Sequence, residues 1–585
     1  MRSRFAFVAL GIASSTITVT AGDLKAPPIA VQDVKSSATL QLRSNDDFVS
    51  SKDSVAAVKP FSGHLAFAEV SMVSSDKLAP VNGKDLHAFP AFEISFTTVG
   101  STLVPSSQEI LGDFKPTGAG SYWQILVQPG KVWSEPNDPP GWTRASFPLA
   151  LMNPVEGGES HNGVALFMYK DADITPLHIQ ITTGTTPFQA GAVFKATATS
   201  VSTMKPISTE DVHAIEKAFS VREAGRLPVK SWDNLPVGLT TAQSAEFGGR
   251  MLDDWKVVTA VFVDGTIYLK SCQTSEGPLP YCDRQRFGVW SATKSAVARM
   301  AMLRMAAKYG DQIFTMKIDD LLPEAKRFLA WKDVTLGSAL NMATGVGNGA
   351  GKPEANIGDE PYDDSYMAFY NDGDFTSKLE KALARPRSYG WGIDRFVRYR
   401  DEDYFVLVAA LDSLLKEKEG ADKDIVSMLR REVYEKIRVY DLPVATTFGV
   451  KKQPLAFEGL YATIDDLVKI AELFQNDGAV SGSQVLSQQK TQEGLTNHHK
   501  WGLTTGRPTG LGQRYFSSFW IDDFSFDGCS GNFARFMGYG GQVVAILPNK
   551  LIAVRLSSAP TDDESVSDFS GLVQASNAVA KVCND

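Results

Sequence analysis

The sequence lacks several patterns that mark common classes of enzyme and binding protein. Its four cysteines form no Cys-x-x-Cys and it has no His-Glu-x-x-His, which argues against a zinc site. It has no Gly-x-Ser-x-Gly, so the nucleophile elbow of an α/β-hydrolase is disfavoured. It has no Lys/Arg-rich run, and its formal net charge of -9 argues against a nucleic-acid partner. We therefore expect a globular protein with no metal, cofactor or nucleic acid.

Long apolar runs are also scarce, and no segment after the N-terminus is long enough to span a bilayer. The start of the chain has Arg2 and Arg4, then a short apolar run over residues 5–13 and small residues up to Ala21. This pattern predicts an export signal over residues 1–21, with a buried N-terminal strand as the alternative.

The four cysteines allow three disulfide pairings. We favour Cys272 with Cys282, because a short loop containing proline and glycine separates them, which leaves Cys529 to pair with Cys583. Free thiols in a reducing compartment are the alternative. Together with the predicted signal, disulfides indicate a secreted or periplasmic protein.

The length of 585 residues and a composition of 43% hydrophobic and 21% charged residues predict a multidomain globular chain. Residues 22–60 are polar and predict an irregular lead-in. Residues 61–229 consist mainly of short alternating runs divided by Pro/Gly/Asn loops, which predict an N-terminal all-β, sandwich-like domain. A helix is expected near 209–220, and residues 230–239 are typical of a linker.

Residues 240–585 have a different pattern, with strands at both ends and a mostly helical middle. A strand from Val257 meets Asp264-Gly265, a strong hairpin signal. The last strands are expected at 543–547 and 551–556. This order predicts an α+β domain with an antiparallel sheet flanked by helices.

The most informative segment opens a strongly apolar helix with Ser291 and places Lys294 three residues later. Side chains three apart on a helix share a face, so the amine could activate the hydroxyl without a histidine. Ser-x-x-Lys occurs at four other places in the chain, so the context must decide. Only this copy follows a plausible hairpin and begins an apolar helix. The alternative is an ordinary helix cap with a solvated lysine.

Four further blocks follow in order: Val-Thr-Leu-Gly-Ser-Ala-Leu-Asn-Met-Ala-Thr-Gly-Val from 334, Tyr-Arg-Asp from 399, Gly-Leu-Tyr-Ala-Thr-Ile-Asp-Asp-Leu from 459, and Gly-Tyr-Gly-Gly-Gln from 538. With the Ser-x-x-Lys they resemble the serine β-lactamase and penicillin-binding-protein superfamily, in its esterase, D-aminopeptidase and class C-like branch. The resemblance covers residues 240 to about 580 and implies the β-lactamase/transpeptidase-like fold for that part.

The resemblance also implies roles for individual residues. Ser291 would be the acylated nucleophile, Lys294 would hold or take its proton, and Tyr399 would pass the proton to the leaving group. The backbone N–H groups of Ser291 and Gln542 would form the oxyanion hole, with an uncertainty of one residue that includes Gly541.

Two positions depart from the family pattern. Asp401 stands where asparagine is usual, and a carboxylate beside Lys294 would favour the ammonium; Arg400 would neutralise it, or Asp401 would cap the next helix. Tyr539 replaces a His or Lys, which removes a positive charge that β-lactam-binding members use near a substrate carboxylate. An ester or neutral amide substrate is therefore favoured, although Tyr539 is equally consistent with packing alone.

Aromatic residues lie between the Ser291 and Tyr399 blocks: Tyr362, Tyr366, Phe369 and Tyr370. They predict an apolar substrate pocket, with core packing as an equal alternative. The sequence thus predicts an exported serine hydrolase that cleaves a carboxylic ester or amide of small size. The alternatives are a catalytically inactive binding protein on the same scaffold, or a β-lactamase or D-peptidase. The oligomeric state and the role of the N-terminal domain are left open.

Overall fold

The computed structural model describes residues 29–116, 118–270, 272–349, 360, 363–495, 502–508, 510–560 and 564–583. The predicted export signal over 1–21 and Tyr362 lie outside this part of the chain. The fold is mixed α/β and is built on two large sheets that are almost entirely antiparallel. No helix within the described ranges is both long enough and apolar enough to cross a membrane.

The first sheet contains only strands from the N-terminal part of the chain, as the alternating sequence pattern predicts. Its twelve strands within the described residues are Ser62–Phe67, Val73–Ser74, Phe92–Val99, Thr102–Pro105, Gln124–Val127, Gly130–Trp133, Thr143–Met152, Ser160–Lys170, Asp173–Ile174, Leu177–Gly184, Ala196–Ser200 and Ser202–Lys205. They form one continuous hydrogen-bonded sheet around an apolar core, not the two separate sheets of a sandwich. A small strand pair, Val70–Ser71 with Ala88–Phe89, lies beside it.

The second sheet joins distant parts of the chain, as predicted for the C-terminal part. In spatial order its nine described strands are Val229–Ser231, Thr266–Lys270, Lys256–Val263, Ile552–Ser557, Gln542–Ile546, Cys529–Gly538, Phe519–Phe526, Arg514–Phe516 and Leu503–Thr504. The segment predicted as a linker over 230–239 therefore supplies part of an edge strand, which pairs in parallel with Thr266–Lys270. At the predicted hairpin, Asp264 and Gly265 have φ of 44° and 78°, the left-handed values that this turn requires.

Helices lie mainly between the early and late strands of the second sheet. The α-helices of the described part are Val31–Lys35, Thr209–Gly225, Thr241–Glu246, Met300–Tyr309, Ile318–Leu321, Leu336–Leu340, Asp364–Tyr370, Phe375–Leu383, Asp401–Glu419, Ile425–Leu429, Ile464–Gln475, Gln488–Glu493, Glu564–Ser567 and Leu572–Ser576. Two π-helical segments, Lys294–Arg299 and Arg430–Tyr434, are continuous with α-helices. The helix predicted near 209–220 is confirmed as Thr209–Gly225. The Ser208 side chain caps its N-terminus.

The two sheets are not independent of one another. Leu126, Ala150 and Met152 of the first sheet belong to the same apolar cluster as the core of the second. The Ser160 hydroxyl accepts a hydrogen bond from the Gly288 N–H at 3.1 Å, three residues before the predicted nucleophile. The first sheet therefore supports the segment that carries the candidate nucleophile.

Both predicted cysteine pairs lie at bonding distance. Cys272 and Cys282 enclose the short loop, and Cys529 joins the start of a central strand to Cys583 at the C-terminal end, 54 residues away. Every cysteine in the chain is thus paired.

Replacing Cys529 and Cys583 together with alanine is expected to lower the free energy of unfolding by roughly 2–4 kcal/mol, because a loop of this length gains chain entropy when it is released. Denaturant unfolding of the oxidised protein measures the loss. The matched control is the wild type under reducing conditions, which should lose stability as well. Equal stability in all three samples, or free thiols in an unreduced peptide map, would contradict the pairing.

Candidate active site

Ser291 sits at a sharp turn between a short strand and a helix. The strand Phe287–Gly288 pairs with Tyr461–Ala462. Trp290 then adopts φ 48°, which is rare for a bulky residue and marks a strained backbone at this point. Its indole N–H donates to the Thr186 carbonyl at 3.1 Å, a contact supplied by the N-terminal part of the chain. Packing from both parts of the chain thus holds the serine in place.

Lys294 lies on the buried face of the helix that follows and reaches Ser291. Its Nζ donates to Ser291 Oγ at 2.7 Å, to Asp401 Oδ1 at 2.6 Å and to the Phe457 carbonyl at 3.1 Å. An ammonium has three N–H donors, and these contacts use all three. The lysine is 1% exposed, so its charge lies in a site from which water is largely excluded.

Asp401 begins the Asp401–Glu419 helix and forms a buried ion pair with Lys294. Its second oxygen accepts a hydrogen bond from the Tyr366 hydroxyl at 2.6 Å. The predicted neutralisation by Arg400 is wrong, because that guanidinium turns to the opposite side and pairs with Asp403 at 2.7 Å. Asp401 is also not the cap of its helix, since Arg400 occupies the capping position without a side-chain bond.

Tyr399 faces the same lysine. The Lys294 Nζ lies 4.7 Å from the centre of the Tyr399 ring, within the range of a cation–π contact. The ring is stacked on Trp520 with centroids 5.4 Å apart. An edge-to-face contact with Tyr515, with centroids 6.4 Å apart, completes the set, so two aromatic contacts and a cation fix the orientation of this phenol.

Gly538, at the end of the strand Cys529–Gly538, lies directly against the nucleophile segment. A Cβ on Gly538 would lie 2.2 Å from the Val289 carbonyl oxygen and 3.1 Å from the Ser291 nitrogen. The Gly541 N–H is engaged in closing the turn to the Gly538 carbonyl at 2.9 Å. The backbone beside Ser291 is thus that of Gly538 and Tyr539.

Gln542 lies further along this hairpin and does not line the cavity at Ser291. Its buried side chain bonds Thr186 Oγ1 at 3.0 Å and the Ser557 carbonyl at 2.9 Å. This side chain holds the turn in shape from behind. Tyr539 lines the cavity, and its ring packs edge-to-face on Trp290 with centroids 5.4 Å apart.

A cavity of about 320 Å³ opens at Ser291. Its lining is mostly aromatic: Phe188, Trp290, Tyr366, Tyr370, Tyr399, Trp520 and Tyr539, completed by Ser291, Met367, Asp401, Glu458, Arg507, Met537 and Gly538. The predicted aromatic set divides: Tyr366 and Tyr370 line this cavity, whereas Phe369 is fully buried in the core and is absent from the lining. The volume suits a small organic molecule.

Sequence reasoning missed several of these lining residues, among them Phe188, Trp520, Glu458 and Arg507. Phe188 comes from the N-terminal part of the chain, which therefore supplies one wall of the cavity. Arg507 lies over the Trp520 ring at 4.4 Å and brings a positive group to the cavity. The positive residue of the family pattern, a His or Lys, is replaced by Tyr539 in this chain. Of these four residues, only Glu458 lies next to a recognised sequence block, the one that begins at Gly459.

Titratable groups near the cavity are strongly affected by burial. Burial raises the pKa of the Glu458 carboxyl well above its usual range, and the negative charge of Asp401 raises it further. Burial and the neighbouring Glu458 likewise raise the pKa of the Tyr370 phenol. Burial also lowers the pKa of Lys378, behind the cavity.

Comparison with known proteins finds no matching family model and no matching curated protein. Similar solved structures include a Bacillus anthracis protein named as a 6-aminohexanoate-dimer hydrolase, 17% identical, covering 60% of this chain and 87% of that chain, with a TM-score of 0.44. A family VIII carboxylesterase is 15% identical, with 58% and 97% coverage and a TM-score of 0.41. A penicillin-binding-protein homologue from Caulobacter crescentus is 13% identical, with 58% and 96% coverage and a TM-score of 0.39.

The close approach at Gly538 gives a direct test of this geometry. Gly538→Ala is expected to lower kcat/KM at least about tenfold, because the added methyl group displaces the strand from Ser291 and misplaces the donors for an oxyanion. Gly390→Ala is the matched control, since a Cβ there meets nothing within 4 Å. Thermal unfolding of both variants checks the fold, and unchanged turnover in Gly538→Ala would contradict the arrangement.

Proposed function

We propose that this protein is a serine hydrolase that forms an acyl-enzyme on Ser291 and releases it to water. The observation that carries the proposal is the Lys294 ammonium, 2.7 Å from Ser291 Oγ, at the wall of an aromatic cavity. A serine in this setting has a cation to stabilise its alkoxide and a space in which a carbonyl group can be held.

The contacts of Lys294 bear on which residue carries the proton. With all three donors engaged, the ammonium donates to Ser291 Oγ and stabilises negative charge there. Tyr399 is then the proton carrier: a nearby cation stabilises a phenolate, which accepts the Ser291 proton as Oγ attacks the carbonyl carbon. The same phenol returns that proton to the leaving alcohol or amine. In the second half, water attacks the acyl carbon and gives a proton to Tyr399, which passes it to Ser291 Oγ as the ester bond breaks and the carboxylic acid leaves.

The oxyanion hole is proposed to consist of the backbone N–H groups of Ser291 and Tyr539. Gly538 lies against the Ser291 nitrogen, so the N–H of the next residue, Tyr539, is the nearest candidate for the second donor. The second donor is thus assigned to Tyr539, which lines the cavity, and not to Gln542 or Gly541, which the family pattern favoured. Two preorganised donors in a site of low polarity are typically worth several orders of magnitude in rate.

The lining favours an ester or amide with a modest, largely apolar acyl group, because aromatic rings form most of the walls. A second candidate, a β-lactamase or D-peptidase, is supported by Arg507, whose guanidinium could bind a substrate carboxylate. The buried contact between Lys294 and Asp401 is the observation in favour of a binding-only descendant, since it occupies the lysine that would otherwise take the Ser291 proton.

A substrate panel distinguishes these functions. It contains 4-nitrophenyl pentanoate, D-alanine 4-nitroanilide and a chromogenic cephalosporin, each with the wild type and with Ser291→Ala. We expect turnover of the ester that is lost in Ser291→Ala. Preferred turnover of the cephalosporin or the anilide would transfer the function to the second candidate. Binding of all three without turnover would support the binding-only protein.

We further propose that the protein is exported. The support is that all four cysteines are paired, which is typical of oxidising compartments. A fusion of residues 1–21 to a reporter that is active only in the periplasm checks this. The segment should export the reporter, and an inactive fusion would contradict the proposal.

A further inference from the structure

Glu458 is a buried carboxyl group at the wall of the active-site cavity that the proposed mechanism does not use. It is 1% exposed, and its Oε1 has no hydrogen-bond partner in the described part of the chain. A buried polar atom without a partner is energetically unfavourable, and it is seldom retained without a role. The preceding residue, Phe457, accepts a hydrogen bond from Lys294, and Glu458 lines the same cavity as Ser291.

We propose that Glu458 is a specificity-determining residue, which selects substrates whose acyl group carries a hydrogen-bond acceptor such as a ketone or amide carbonyl. The inference rests on the proposed function and names its substrate class. The partner missing from Oε1 is then supplied by the substrate when it fills the cavity.

The surroundings of Glu458 favour its neutral, donating form. Burial and the charges of Asp401 and Glu156 raise its pKa, whereas Lys378 and a hydrogen bond with Tyr370 oppose this less strongly. Lys378 is itself occupied, because its Nζ donates to three backbone carbonyls. This shift favours the neutral carboxyl, which acts as a donor.

This protonation state gives a pH signature with a definite sign. As the pH rises through the raised pKa, Glu458 ionises, loses the donor proton and repels an acceptor oxygen. The preference for substrates that carry an acceptor should therefore be strongest below that pKa and decline as the pH rises through it.

Matched ester pairs test the inference: 4-nitrophenyl pentanoate with its 4-oxo analogue, and the hexanoate with its 5-oxo analogue. Each pair differs only in one acceptor carbonyl, at two distances from the scissile bond. The variants are Glu458→Gln, which keeps a neutral donor, and Glu458→Met, which keeps the length and removes it. The readout is the ratio of kcat/KM for the oxo ester to that for its parent, with active sites counted by fluorophosphonate titration.

In the wild type this ratio should exceed that of Glu458→Met by roughly three- to tenfold for at least one pair, as a single neutral hydrogen bond allows. Glu458→Gln should keep the ratio and lose its decline with rising pH. Equal ratios in all three proteins, with fluorophosphonate labelling intact, would overturn the role of Glu458 and leave the hydrolase proposal standing. Absence of labelling in every protein would instead overturn the hydrolase proposal itself.

Discussion

Lys294→Met is expected to lower kcat/KM roughly 10²–10³-fold, the range typical when a donor that stabilises developing negative charge is lost. Lys294 is the only cation that contacts Ser291 Oγ within the described residues, and it also stabilises the neighbouring phenol. Methionine keeps the length and apolar character of the side chain but cannot donate a hydrogen bond or carry charge. The rate of acylation, measured as the burst with a 4-nitrophenyl ester, reports the effect.

Lys294→Met leaves Asp401 buried without its ion-pair partner, so the control must separate the loss of stability from the loss of chemistry. Breaking a buried ion pair in this way costs about 3–5 kcal/mol of stability. In the double variant Lys294→Met with Asp401→Asn, the charge is removed together with its partner, so stability should recover while activity stays low. Activity that recovers together with stability would show that Lys294 acts through the fold and not through the chemistry.

Tyr399→Phe is expected to lower kcat by roughly 10²–10⁴-fold with little change in KM, because only the hydroxyl proposed to carry the proton is removed. The ring should remain in place, since its stacking on Trp520 and its contact with Lys294 do not need the oxygen. Steady-state kinetics over a wide pH range, with thermal unfolding in parallel, provide the measurement.

Tyr404→Phe is the matched control, because that ring lies 5.5 Å from Lys294 but its hydroxyl is committed to the Leu340 carbonyl at 2.7 Å. It should lose stability of about 1 kcal/mol and retain most of its turnover. Near-normal turnover in Tyr399→Phe, or an equal loss in both variants, would refute the assignment of Tyr399 as the carrier.

Much of this arrangement could be predicted because it depends on short stretches of sequence. The spacing of Ser291 and Lys294 places them on one helix face, and the structure brings the two side chains within hydrogen-bond distance. The turn at Asp264 and Gly265 is equally local, because few residues other than glycine adopt its backbone angles readily.

The remainder depends on contacts between distant segments, which no local pattern specifies. Phe188 reaches the cavity from the loop between the strands Leu177–Gly184 and Ala196–Ser200, and Arg507 and Trp520 reach it from late in the chain. The pairing of Arg400 with Asp403 and not with Asp401 follows from which helix face turns inward. The position of Gln542 behind the hairpin follows from a turn register that the motif alone does not fix.

The central claim is that the Ser291 oxygen is the nucleophile of this site. Treatment with a fluorophosphonate, followed by digestion and mass spectrometry of the peptides, tests it most directly. We predict one adduct per chain, carried by Ser291 and absent from Ser291→Ala. An adduct on a different serine, or no adduct at any pH at which the protein stays folded, would contradict the account.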